Sequence, residues 1–168
     1  MKNITILVLS CALFLVNACS GNSTKEPTAK DALSSNESSG LTGTFTANGK
    51  TYTGKVSTQQ FPATGQYSVL CQDDNDPNDS KLIQFVFKDE SSARAGGNLT
   101  ATYNGGKDQT ASETWLNFDI RYRSEADSKG TVTVNKTGSG NELVFNNVTL
   151  KTIDKEKETV VVSGKIPF

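Results

Sequence analysis

From residue 41 onward the chain predicts an all-β domain, a mostly antiparallel sandwich of about eight or nine strands. Three observations carry this. Short segments alternate apolar and polar side chains with a period of two. Turn residues separate those segments at short intervals. Thr, Ser, Asn and Gly are abundant, while hydrophobic residues make up only 35% of the 168, a composition that suits strands and turns better than helices. At this length one domain is expected.

The first element lies outside that domain. Lys2 precedes an apolar run from Ile4 to Val16, broken only by Thr5, Ser10 and Cys11 and followed by Asn17-Ala18-Cys19. An apolar core of about thirteen residues is too short to span a bilayer, which needs about twenty. Residues 1–18 therefore predict a cleaved export signal. Val16-Asn17-Ala18-Cys19 resembles the bacterial lipobox, with an aliphatic residue three before the cysteine and a small one just before it; Asn17 departs from the usual pattern. The resemblance implies diacylglycerol transfer to Cys19, cleavage before it and acylation of the new amino group. Several acyl chains hold where one holds only marginally. The alternative is a plain secretory signal cleaved after Ala18.

Residues 19–40 predict a tether. From Ser20 to Gly40 there is no aromatic residue and one Leu, so little burial offsets the entropy of ordering. As a coil, such a segment holds a domain about 25 Å from its anchor. Ser20 is not the aspartate that retains lipoproteins at an inner membrane, so by resemblance the outer membrane is favoured. No acid-rich stretch near Cys19 directs the domain to one leaflet.

The domain, 41–168, opens on a hairpin whose register can be derived. Asn48-Gly49 is the preferred two-residue type I′ turn, which places Phe45 opposite Tyr52, Gly43 opposite Gly54 and Leu41 opposite Val56. One face then pairs aromatic with aromatic, and Thr42, Thr44, Thr46, Thr51 and Thr53 take the other. Further strands are expected over 66–72, 82–88, 98–104, 114–123, 131–136, 142–150 and 159–166. In 114–123, Leu116, Phe118, Ile120 and Tyr122 point inward by alternation, and Trp115, Asn117, Asp119, Arg121 and Arg123 outward. In 142–150 the apolar parity switches between Phe145 and Val148, which a bulge at Asn146-Asn147 explains. Short links imply mostly antiparallel neighbours. An odd strand count favours a sandwich over an up-and-down barrel, which stays open as the alternative; no lipid-facing belt with aromatic girdles suggests a membrane barrel.

Composition removes whole classes of function. There is no histidine, which excludes Ser-His-Asp and Cys-His catalysis and His-ligated zinc. Loss of residues 1–18 removes only Lys2, leaving the chain weakly acidic with no basic field for nucleic acid. With Cys11 cleaved away and Cys19 acylated, Cys71 has no intramolecular partner and reads as a buried structural thiol.

The lipobox, the polar tether, the Phe45-Thr-Ala-Asn-Gly-Lys50 hairpin, the Gly-Asn-Leu-Thr-Ala-Thr-Tyr103 segment and the closing Val162-Ser-Gly-Lys-Ile-Pro-Phe168 strand together resemble small bacterial lipoproteins of a family of unknown function. That resemblance implies a β-sandwich in the cell envelope and brings no catalytic residues.

Two candidate sites remain. Asp74, Asp76 and Asn78 have the alternate spacing of calcium ligands in a loop, but Asp79 stands where a glycine is needed and Phe85 where a bidentate Glu is. A solvated turn explains the same residues. The outward row Trp115, Asn117, Asp119, Arg121 and Arg123 combines an aromatic ring with amide, carboxylate and guanidinium groups, suited to a glycan or an envelope protein, although any exposed sandwich face carries polar residues. The expectation is thus a membrane-held, non-enzymatic binding module needing no cofactor. A glycan-active or other carboxylate-dependent hydrolase would need two of Asp108, Glu113, Asp119, Glu125 and Asp127 to converge. A carrier of a small apolar ligand would need a cavity between the layers.

Overall fold

In the computed structural model, residues 36–73, 75, 79–105, 108–154 and 158–168 are described. Cys19, the export signal, most of the tether and the trio Asp74, Asp76 and Asn78 lie outside them. The described chain is all-β. Its ten strands are β1 Asn36–Ala47, β2 Lys50–Gln60, β3 Tyr67–Asp73, β4 Lys81–Phe87, β5 Gly97–Ala101, β6 Glu113–Phe118, β7 Tyr122–Arg123, β8 Thr131–Thr137, β9 Gly140–Thr152 and β10 Thr159–Pro167, with one short helix, α1 Glu90–Ala95, between β4 and β5.

All ten strands belong to one sheet of order β10-β1-β2-β3-β4-β6-β5-β8-β9-β7, in which β10 also pairs with β9 and β6 with β7. Every pairing is antiparallel except that of β5 with β6. Because β10 pairs with both β1 and β9, the sheet folds back on itself around one core in a sandwich-like fold. Phe85 of β4 packs on Phe145 of β9, ring centroids 5.0 Å apart, across strands that are not neighbours. The parallel insertion of β5 between β6 and β8 departs from an up-and-down order.

The first hairpin forms as the Asn-Gly turn dictates. Asn48 and Gly49 both have positive φ, 48° and 81°, and Phe45 pairs with Tyr52, Gly43 with Gly54. The two rings stack at 5.2 Å on the buried side. Glycine at 54 is a steric requirement, since a Cβ there would lie 2.0 Å from the Gln72 carbonyl oxygen of β3. The regular register stops short of Leu41 and Val56. The register shifts between Ser38 and Thr42, Gly40 takes φ 66°, and Leu41 is left 40% exposed while Val56 is fully buried. Beyond this bulge β1 continues back to Asn36, inside the stretch read as tether.

The bulge in β9 is where the parity change places it. Asn146 and Asn147 together oppose Ser163 of β10, Asn147 has φ 50°, and Leu143, Phe145, Val148 and Leu150 are all buried. Ser163 Oγ accepts the Asn147 N–H at 2.8 Å.

The expected strand 114–123 is two strands. Asp119 and Ile120 both take positive φ, 51° and 59°, the Arg121 N–H reaches back to the Asp119 carbonyl at 2.6 Å, and the chain reverses so that Phe118 pairs with Tyr122 and Asn117 with Arg123. Alternation placed Ile120 inward; it is 77% exposed at the tip. This break turns nine expected strands into ten. The strand expected over 98–104 ends at Ala101, and helix α1 was not expected. Asp89 caps α1, its carboxylate accepting from the Ser92 N–H at 2.7 Å, and Gly96 ends it with φ 80°.

Among the described residues twenty-three buried side chains fill the interior, with Phe45, Phe85, Phe87, Phe145, Ile83, Leu116 and Leu143 the largest of those fully shielded from solvent. Cys71 is among them, its Sγ 3.6 Å from the Gly54 carbonyl. Desolvation pushes its thiol up to about 11, as expected of a buried, unreactive sulfur.

Candidate functional site

The outward row divides at the β6–β7 turn. Gln84 of β4 pairs with Asn117 of β6, which pairs with Arg123 of β7. Residues directly opposite across a ladder share a face, so amide, amide and guanidinium form a line across three strands, about 10 Å long at the usual strand spacing. Trp115 stands two residues along β6 on the same face, opposite Val86.

Tyr103, in the segment after β5, closes one side. Its ring meets Trp115 edge to face with centroids 4.9 Å apart, and the Arg123 guanidinium lies 4.2 Å from its centroid, within cation–π range. Arg123 Nε also donates to Glu125 Oε1 at 2.9 Å. Both contacts fix the arginine, and Glu125 balances its charge. Asn117 Nδ2 approaches Gln84 Oε1 at 3.5 Å, leaving the second amide ends, Gln84 Nε2 and Asn117 Oδ1, without a protein partner among the described residues. All five side chains are half-buried. Trp115 Nε1 is buried and has no hydrogen-bond partner among the described residues, an unmade bond of the kind that costs about 1 to 3 kcal/mol.

Asp119 and Arg121 leave this row, because the turn redirects them. Asp119 bonds Lys81 at 3.0 Å; Lys81 also holds Asp79 at 3.1 Å, and Asp79 holds Lys50 at 2.6 Å. Hydrogen bonds from Lys50 and then Lys81 keep the Asp79 carboxyl below its usual range, and Asp119 followed by Asp79 raises the Lys81 ammonium. Arg121 is exposed, 3.9 Å from Asp154. Tyr122 is raised by desolvation and by its 3.2 Å bond to Glu158.

Of the five carboxylates that a hydrolase would draw on, Glu125 and Asp127 line one groove, an open space of about 410 Å³ that also includes Arg123, Lys151 and Asp154. Each is paired with its own cation, Glu125 with Arg123 and Asp127 with Lys151. Glu113 accepts from the Thr110 N–H at 2.8 Å, and Asp108 is exposed. Around the acidic loop, Asp73 accepts from the Asn75 N–H at 2.9 Å, an Asx turn.

Tyr103 and Gln84 belong to the site and were not singled out as site residues in the sequence, and Glu125 was named there only as a carboxylate for a hydrolase, not as the partner of Arg123. Cross-strand pairing brings Gln84 in and a loop brings Tyr103, and neither follows from alternation along one strand. Glu125, two residues beyond Arg123, was the one within reach of local reading. Searches against protein-family models, curated proteins and solved structures found no match to this chain.

Proposed function

We propose that the protein is a lipid-anchored lipoprotein of the bacterial envelope, held by acylated Cys19 at the outer membrane, and that its domain is a non-enzymatic binding module. The export pattern and lipobox of residues 1–19 support the anchor, as does the resemblance to small bacterial lipoproteins. The observation that carries the binding role is the Gln84–Asn117–Arg123 row beside Trp115 and Tyr103. It gathers an aromatic wall, two amides with spare hydrogen-bonding capacity and a fixed guanidinium on the outside of a rigid sheet. The partner is a glycan or another envelope component.

Retention on washed envelope fragments tests this reading. The full chain carrying Cys19→Ser, so that no lipid holds it, should bind, and adding Asn117→Arg, which puts a bulky charge in the middle of the row, should weaken retention severalfold without changing the melting temperature. Equal retention of the variant would refute the assignment of this face.

A further inference from the structure

Building on that binding face, we infer that its ligand is a neutral oligosaccharide. The row offers what a sugar needs. Gln84 Nε2 is a donor and Asn117 Oδ1 an acceptor, both without protein partners among the described residues, and hydroxyl groups satisfy donors and acceptors alike. The Trp115 and Tyr103 rings beside them meet edge to face and are each only half-buried, so the aromatic surface they leave uncovered is available to the C–H face of a pyranose.

Charge then decides between neutral and anionic glycans. The one cation of the row, Arg123, is committed to Glu125 at 2.9 Å and to the Tyr103 face at 4.2 Å. A phosphate or carboxylate arriving there would meet the Glu125 carboxylate and would have to displace it. The neighbouring cations are committed in the same way, Lys81 to Asp79 and Asp119, and Arg121 to Asp154.

Trp115 is the sole tryptophan of the sequence, so its emission reports on this face alone. The full chain in detergent is titrated with cellohexaose, chitohexaose, maltohexaose and, as the anionic probe, polygalacturonate. At least one neutral hexasaccharide should shift the emission saturably at millimolar concentration or below. Gln84→Ala and Asn117→Ala should each weaken that binding about fivefold, the loss of one hydrogen bond, with melting temperatures unchanged. Polygalacturonate should bind more weakly.

Silence with all three neutral sugars, tighter binding of polygalacturonate, or neutral binding that Asn117→Ala leaves intact would each overturn the inference. If the sugars are silent while Asn117→Arg still weakens envelope retention severalfold, the ligand class is wrong and the binding face stands. If retention also survives that substitution, the face itself is wrong.

Discussion

Replacing Ile120 with glycine should stabilise the protein, although it removes a hydrophobic side chain. Ile120 sits at φ 59° directly after Asp119 at φ 51°, and a β-branched residue in the left-handed region costs about 1 to 2 kcal/mol. Its side chain is 77% exposed, so little burial is lost with it. Glycine adopts the same φ without strain, but it adds about 0.5 to 1 kcal/mol of chain entropy to the unfolded state. The balance is a gain of about 0.5 to 1 kcal/mol, or about 2 to 5 °C in melting temperature for a domain of this size. Thermal unfolding followed by circular dichroism measures it. Gly49→Val is the opposite perturbation, since it forces a β-branched side chain into φ 81°; it should cost a kcal/mol or more. A lower melting temperature for Ile120→Gly would refute the strained-turn account and with it the division of the strand there.

Phe45→Ala should cost about 3 to 5 kcal/mol, because Phe45 is fully buried between Tyr52 and Phe118; Thr44→Ala on the exposed face should stay within about 0.5 kcal/mol by urea titration. Asp89→Ala removes the cap of α1 and should cost about 1 kcal/mol. The Asp79 and Asp89 carboxyls are both held below their ordinary range, Asp79 by Lys50 and Lys81, Asp89 by the Ser92 hydroxyl and N–H. Their stabilisation is whole above the unfolded-state pKa of about 4 and is lost as pH falls below it, so a variant with Asp79→Asn and Asp89→Asn should show a flatter loss of stability with acid than the native chain. Cys71 runs the other way. Its pKa of about 11 in the fold, against 9.0 as a free thiol, means that stability declines as pH rises from about 9 towards 11, and Cys71→Ala should make that alkaline slope shallower, the raised Tyr122 and Lys81 supplying what remains.

What the sequence disclosed divides along physical lines. Alternation disclosed the inward residues wherever a strand ran straight, and Asn48-Gly49 disclosed a register because only a few residue pairs take positive φ at both positions. The Asn146-Asn147 bulge was legible because it flips the parity of apolar residues on either side. Ile120 misled because its chemistry fits a buried strand position, and its strained turn follows from the closure of β7 against β9, a long-range pairing. Leu41 misled for a related reason, since the bulge at Gly40 carries no parity change in the polar residues before it. Within the site, Trp115, Asn117 and Arg123 were legible from one strand's outward face. Asp119 and Arg121 were assigned to that face through the same unbroken alternation that placed Ile120 inside. Tyr103 and Gln84 depend on which strands become neighbours, and the parallel placement of β5 beside β6 has no local signature.

The mass of the mature chain, extracted from membranes, tests the account's central claim most directly. A polypeptide beginning at Cys19 and carrying the added mass of a diacylglyceryl group and an N-acyl chain is the predicted result. A chain beginning at Cys19 without added lipid, or one that still retains residues 1–18, would contradict it.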